Sequence, residues 1–320
     1  MRRRELLIGL GAAAAAPGDA GAQPSPWRVG FLHPGQSGGV AMRIGRFEEG
    51  LRPFNGGDPV ILKGVADDRV EELPRLAVTV VGAGAQVICA VSPPAVRAAI
   101  NATHEIPILA VDLESDPVAN GWARSLGQPG GNLSGVFLDL PDFTAKCLQL
   151  LREVIPEMSR LAILWHPASG SIQLEVARKA ASTWGLTVDT YEANRIAELE
   201  PAFRAAASKG ADGILMLSAP MIGGNPKILA DLARVHRLPA IDQFPDFTEQ
   251  GGLLAYGPDV LEMFRQAGTM ARKVLVGAPI ANLPIDRPAR FRLSVNLKTA
   301  KTLGLNLPPT LLARADEVIE

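Results

Sequence analysis

The chain is poor in the residues that most metal and redox chemistry depends on. It has two cysteines and four histidines in 320 residues, too few and too scattered for a Cys/His zinc framework. Cys89 sits in an apolar strand-like run and Cys147 in a helical one, and both read as buried thiols rather than a disulfide. Basic and acidic residues balance to a net charge of −1, with no basic patch beyond the first four residues. No nucleic-acid partner is expected on that ground. No run after the N-terminus is long and apolar enough to span a bilayer. Phosphate-loop and nucleophile-elbow motifs are missing too. Gly82-Ala83-Gly84 follows a helix and precedes a strand, the wrong order for a dinucleotide turn. No pair of carboxylates is fixed by spacing as acid and base. The reading therefore requires no enzyme chemistry, no cofactor and no metal.

The N-terminus has a definite layout. Arg2, Arg3 and Arg4 precede an apolar stretch from Leu6 to Ala16, and Ala20-Gly21-Ala22 offers a small-residue cleavage site. That order predicts an export signal over residues 1–22, with the adjacent arginines pointing loosely to a twin-arginine route. Its removal leaves 29 basic and 31 acidic residues, a net charge of −2. The mature chain is expected to be periplasmic, monomeric and not membrane-spanning.

From Trp27 onward, short β-rich runs alternate with longer helical ones. Strands are predicted at Arg28–Leu32, Val60–Lys63, Val87–Ala90 and Ile108–Asp112, with helices near Met42–Phe54, Leu73–Val81 and Pro94–Thr103. This is the grammar of βαβ units on a parallel sheet. After Gln128-Pro129-Gly130-Gly131-Asn132 the pattern restarts with a helix near Phe143–Val154. Strands follow at Leu161–Trp165, Thr187–Tyr191, Gly213–Leu217 and Ala240–Asp242. The fold class is thus α/β, with two similar doubly wound parallel-sheet lobes. The tail (strand Leu253–Tyr256, helix Val260–Leu275, strand Arg290–Asn296) is too short for a third lobe. It must join existing sheets, so the chain crosses between lobes more than once in a multi-stranded hinge. The expected N-terminal lobe is 27–137 plus about 257–282, and the C-terminal lobe 138–256 plus about 283–320.

Ligands of open parallel sheets sit beyond the carboxyl ends of the strands, which narrows the candidates to a few loops. The first is His33-Pro34-Gly35-Gln36-Ser37, small enough for backbone to approach a ligand. The others carry Ser92-Pro93, the Asp112–Asp116 segment, His166, Ser218 and Phe244, with Tyr256 as a further aromatic cover. Helices opening after Ser92 and Ser169 are expected to aim N–H groups at a small anion, although both serines could equally be caps. His33 and His166 read as bases or as loop hydrogen-bonding groups. Asp112 and Asp116 read as partners of a ligand amine or as turn caps, with Asp116 favoured for ligand contact.

Several segments carry a resemblance. They are Gln128-Pro129-Gly130-Gly131-Asn132-Leu133-Ser134-Gly135, Leu164-Trp165-His166-Pro167-Ala168, and Gly251-Gly252-Leu253-Leu254-Ala255-Tyr256-Gly257-Pro258. The ending Val295-Asn296-Leu297-Lys298-Thr299-Ala300-Lys301 through Leu311-Leu312-Ala313-Arg314-Ala315-Asp316-Glu317 is the most specific. From about Arg28 to Glu320 the chain resembles ABC-transporter substrate-binding proteins of the group that includes tryptophan- and tyrosine-binding members. The resemblance implies a type I periplasmic-binding fold and capture of an amino acid or aromatic carboxylate between the lobes. It also implies an ABC permease and ATPase as partners. It assigns ligand contacts to the same loops, from His33 to Ser37, at Ser92-Pro93, at Asp112–Asp116 and at His166, Ser218 and Phe244. The chain departs from the family at His166, where Asn is common, and at Val91-Ser92-Pro93-Pro94, where a Gly-Thr-Pro-Ala-like turn is usual. A periplasmic sensor built on the same lobes is the alternative, and an exported hydrolase using Asp116 or His166 a more distant one.

Overall fold

A computed structural model of the chain describes residues 25–53 and 57–320, excluding the side chains of 37–39. The export segment expected at 1–22 lies outside the described residues. The first lobe is built from β1 (Arg28–His33), α1 (Ser37–Leu51), β2 (Val60–Val65), α2 (Leu73–Gly82), β3 (Val87–Val91), α3 (Ser92–Ala102), β4 (Ile108–Asp112) and β5 (Leu133–Phe137). Its five strands are all parallel in the order β2-β1-β3-β4-β5. Strands β4 and β5 are buried along their whole length, as parallel strands covered on both faces must be.

The second lobe runs through α4 (Leu140–Val154), β6 (Arg160–Trp165), α5 (Ile172–Thr183), β7 (Thr187–Glu192), α6 (Leu199–Ser208) and β8 (Gly213–Met216). It continues with α7 (Pro220–Gly223), α8 (Pro226–Val235), β9 (Ala240–Asp242), α9 (Asp246–Glu249) and β10 (Leu254–Pro258). The remaining elements are α10 (Val260–Leu275), β11 (Phe291–Asn296), α11 (Leu297–Leu303), α12 (Pro309–Leu312) and β12 (Glu317–Ile319). The sheet order is β12-β11-β10-β9-β8-β6-β7. Its β7-β6-β8-β9-β10 portion repeats the order of the first sheet, so the two lobes share one topology. Only the β10–β11 pairing is antiparallel.

Three segments join the lobes. The chain leaves the first sheet after β5 and returns after β10, because α10 packs on α1 and against β4 and β5. It leaves again beyond Asp286, which bridges Val136 beside β5. One strand was not expected. Sequence reads 128–132 as a Gly/Pro/Asn-rich break with no strand before the next helix, but β5 forms at Leu133–Phe137, with Gly135 at a φ of +145°. A Cβ there would stand 2.2 Å from Ala110 O, so the residue that breaks the strand pattern is the one that lets β5 lie against β4. Helix α1 also begins earlier than expected, at Ser37 rather than Met42.

Behind the first sheet, Phe31 packs on Phe47 edge to face at 6.1 Å and on Phe264 at 5.9 Å between ring centroids. This seats α1 and α10 on the sheet. Both cysteines are buried and free, one in each lobe, and burial pushes both thiols well above their ordinary range.

Helices α1 and α10 approach closely through glycine. A Cβ at Gly50 would lie 2.0 Å from Arg265 O, and one at Gly268 2.0 Å from Phe47 O. Gly268→Ala is therefore expected to destabilise the protein by about 1–3 kcal/mol. Gly45→Ala, on the same α1 with nothing within 4 Å of its added methyl, should stabilise by roughly 0.5–1 kcal/mol. Denaturant midpoints of the two variants check both signs.

Candidate ligand-binding cleft

In the order β2-β1-β3-β4-β5 the chain winds outward in both directions from the gap between β1 and β3. The strand ends at that switch point are where a ligand has access. In the first lobe those ends carry His33 and Ser92. In the second lobe the matching gap, between β6 and β8, carries His166 and Ser218. The two sets face each other. Ser218 Oγ donates to Glu114 Oε1 across the cleft at 2.6 Å, and Arg97 Nη2 of α3 donates to Ala168 O of the second lobe at 3.0 Å. Between the lobes lies a cavity of about 380 Å³. Pro34, Asp68, Val70 and Pro94 line it from one side. His166, Ser169, Asn194, Ile196, Pro220 and Met221 are among those lining the other.

The polar atoms around this gap are unusually short of partners. Ser92 Oγ, Asp112 Oδ2, Glu114 Oε2, His166 Nδ1, Ser169 Oγ, Asp242 Oδ2 and Gln243 Oε1 are all buried with no hydrogen-bond partner. Buried polar groups are normally paired. Here they gather at the carboxyl ends of two facing sheets, where a small polar guest would satisfy them.

His33 is buried, and desolvation followed by the nearby Arg43 charge lowers its pKa to about 3. It stays neutral and is no general base at physiological pH. Gly35 N lies 3.0 Å from its Nδ1 and Arg43 Nη1 lies 2.7 Å from its Nε2. Both neighbours are donors, yet a neutral imidazole has one nitrogen free to accept. Arg43 is thus left with donor capacity to spare, and among the described residues it forms no salt bridge. Asp246 of the second lobe is the one carboxylate whose charge acts on it.

Ser92 opens α3 at a φ of +66°, a left-handed conformation that is costly for a non-glycine residue. Its hydroxyl makes no capping bond, and neither does that of Ser169, so the cap reading fails for both. The expected anion seat at α3 is weaker than sequence suggested. Pro93 and Pro94 have no N–H, which removes two of the four free donors of that helix end. Pro93 is itself buried.

The two aspartates part company. Asp112 is fully buried, with Oδ1 accepting from Glu114 N at 2.8 Å and Ser115 N at 3.0 Å. Asp116 is exposed and accepts from Val118 N and Ala119 N at 2.8 and 3.0 Å. It caps a turn, and Glu114 takes the inward place expected of it. Gln36 is exposed and donates to Asp68 Oδ2 at 2.9 Å, at the rim of the cavity. The side chain of Ser37 lies outside the described residues. Phe244 packs over Gly223, where a Cβ would come within 2.6 Å of its ring. Tyr256 stacks between Phe143 and Phe291 at 5.9 and 5.7 Å, a packing position rather than a cavity wall. Trp165 donates its indole N–H to Gly170 O at 2.9 Å, which ties down the loop that carries His166.

Sequence reasoning included Glu114 only within the Asp112–Asp116 segment without singling it out, and passed over Arg43, Asp242 and the Asn194–Ala197 loop. Arg43 had a signal. It falls on the α1 face of Val40, Ile44, Phe47 and Leu51, all buried, so a charge there points inward. Asp242 ends β9 fully buried, and desolvation raises its pKa to about 7. His166 is lowered by burial. Among the described residues no group of His, Cys, Asp and Glu could hold a metal ion, and no helix is long and apolar enough to cross a membrane.

The sequence profile of the ABC transporter substrate binding protein family matches residues 62–319. The chain belongs to that family. This is a class of solute-binding proteins and not of enzymes, which sets aside the hydrolase reading. Among its relatives, a tyrosine-binding protein of Clostridioides difficile (strain R20291) is 26% identical over 223 residues, or 68% of this chain. The match spans 63% of that relative's length. Among solved structures, an ABC domain in complex with L-Trp from Streptococcus pneumonia has a TM-score of 0.84 at 21% identity, covering 92% of this chain and all of that one. A ligand-free, open substrate-binding protein from Clostridium difficile, with adhesive properties, has a TM-score of 0.66 at 22% identity, covering 92% of this chain and 99% of that one. The fold is that of type I periplasmic binding proteins.

Asp242 allows a test of the cleft's energetics. In the unfolded chain it loses its proton near pH 4, whereas in the fold it keeps it to about pH 7. Its contribution to stability is therefore highest below pH 4, falls as pH rises to 7, and is level beyond. Asp242→Asn should be the more stable protein at pH 8, by up to roughly 4 kcal/mol, and should show no advantage at pH 3–4. Urea titrations of both proteins across that range measure the difference.

Proposed function

We propose that this chain captures a small amino acid or aromatic carboxylate between its closing lobes and delivers it to the permease and ATPase of an ABC importer. It works outside the cytoplasm, as a monomer, after removal of residues 1–22. The observation that carries the reading is the set of partnerless buried polar atoms from both lobes, drawn together at matching switch points.

The cavity suits a guest with one charged end and one apolar body. Val70, Pro34 and Pro94 from the first lobe oppose Ile196, Pro220 and Met221 from the second. The charged end belongs at the strand ends, where Arg43, which forms no salt bridge among the described residues, has donor capacity to spare. Closure then follows from contacts the ligand makes to both lobes at once.

Calorimetry and thermal-shift assays with L-tyrosine, L-tryptophan and their relatives test the proposal. Binding with a raised melting temperature is expected, together with a more compact particle in solution scattering. Arg43→Met should weaken amino-acid binding by roughly 10- to 100-fold through loss of a charge-assisted hydrogen bond. No binding by any amino acid or aromatic acid would sink it.

A further inference from the structure

Two carboxyl groups at the end of β4 stand without any cation. Asp112 is 0% exposed and Glu114 5%. Each uses one oxygen inside the protein, Asp112 Oδ1 for the Glu114 and Ser115 N–H groups and Glu114 Oε1 for the Ser218 hydroxyl. Each leaves the other oxygen, Oδ2 and Oε2, buried and unpartnered.

Everything packed around the pair is neutral or directed elsewhere. Ser92 of α3 and Ser218 beyond β8 bring hydroxyls, and Gln173 of α5 holds the Ser218 backbone. Helix α10 turns apolar residues, Phe264, Ala267 and Ala271, into the core. Of the charged groups on neighbouring elements, Arg43 bonds His33 and Arg97 bonds Ala168 O. Arg287 bonds the Phe137 and Leu138 carbonyls. Asp242 beyond β9 feels Asp246 and not this pair. Desolvation first and then the Asp112 charge hold the Glu114 carboxyl well above its ordinary range, and desolvation raises Asp112. Two buried carboxylates this close, with no counter-charge, cannot both ionise.

We propose that Asp112 and Glu114 together keep one proton in the free protein and exchange it for the ammonium group of the ligand. The balance is simple. A protonated amine enters, one carboxyl proton leaves to solvent, and the net charge of the cleft is unchanged. Oδ2 and Oε2 each accept an N–H of the ammonium, and a third is left for a cleft hydroxyl such as that of Ser92. A divalent metal is the poorer guest, because two carboxyl oxygens fall well short of the six or more that hard cations take. The inference rests on capture of a small solute between the lobes, and it adds the chemical class, a primary amine, together with a pH dependence.

The test uses the full mature chain and three probes of one shape: L-tyrosine, tyramine and 3-(4-hydroxyphenyl)propionate. Calorimetry in buffers of different ionisation enthalpy counts the protons released. L-Tyrosine and tyramine should each release about one proton, and their affinity should rise with pH, by up to about tenfold per unit, until the pair in the free protein loses its proton. The amine-free acid should bind roughly 30-fold or more weakly and release none. Asp112→Asn/Glu114→Gln, of nearly unchanged shape, should lose both the amine preference and the pH slope. A wild-type proton count of zero, or equal binding of the amine-free acid, overturns the exchange whatever the variant does. Binding of tyramine with proton release but without L-tyrosine binding upholds it and removes the amino-acid reading. Binding of the amine-free acid alone does the reverse, and binding of none of the three removes both.

Discussion

The cleft is governed by one electrostatic constraint, the burial of Asp112, Glu114 and Asp242 with no cation beside them. Ionising a carboxyl in such surroundings is costly, and the groups respond by holding protons that an exposed acid would lose. All three sit at strand ends, where backbone N–H groups take one oxygen of Asp112 and one of Asp242. The second oxygen is spare in each. A protein optimised for stability alone would fill these positions with apolar or amide side chains. The core must offset their cost elsewhere; in the first lobe the Phe31, Phe47 and Phe264 cluster and the glycine-mediated contact of α1 with α10 contribute, α10 being packed against β4.

Shared topology explains why the two halves of the site meet. Because β2-β1-β3-β4-β5 and β7-β6-β8-β9-β10 wind alike, their switch points present loops of the same kind to one another. Little direct bonding holds the faces together. Among the described residues, Ser218 to Glu114 and Arg97 to Ala168 O are the hydrogen bonds that join the switch-point loops across the gap. Two such bonds are worth about 1 kcal/mol each. On the proposed reading, a ligand with modest differential contacts to the two lobes then decides between open and closed states.

Most of the architecture could be read from residue order, because parallel strands and their covering helices impose distinct periods. Helix α10 begins and ends where apolar spacing placed it. Strand β5 was hidden by Gly135, whose role depends on the backbone of a strand some 25 residues earlier. The site was legible by location and less so by identity. Loops after strands pointed to His33, Ser92, Asp112, His166 and Ser218. The pattern Asp112-Leu113-Glu114-Ser115-Asp116 offers three acids, however, and sequence cannot say which turns inward. The outcome depends on the Asx turn at Asp112, which folds Glu114 back into the gap, and on Val118 and Ala119 N–H groups that draw Asp116 outward.

A division of labour follows from where the cavity wall comes from. The buried polar atoms without partners belong to inner strand ends, Ser92, Asp112 and Glu114 in one lobe and His166, Ser169, Asp242 and Gln243 in the other, and of these His166 and Ser169 line the cavity. Part of the apolar wall comes from edge strands at equivalent places in the two sheets. Val70 lies beyond β2, and Ile196 lies beyond β7. Edge loops carry fewer packing obligations than central ones and tolerate change more freely. On the proposed reading, the charged end of a guest meets strand ends that the fold itself constrains, while its apolar body meets edge loops that are freer to vary.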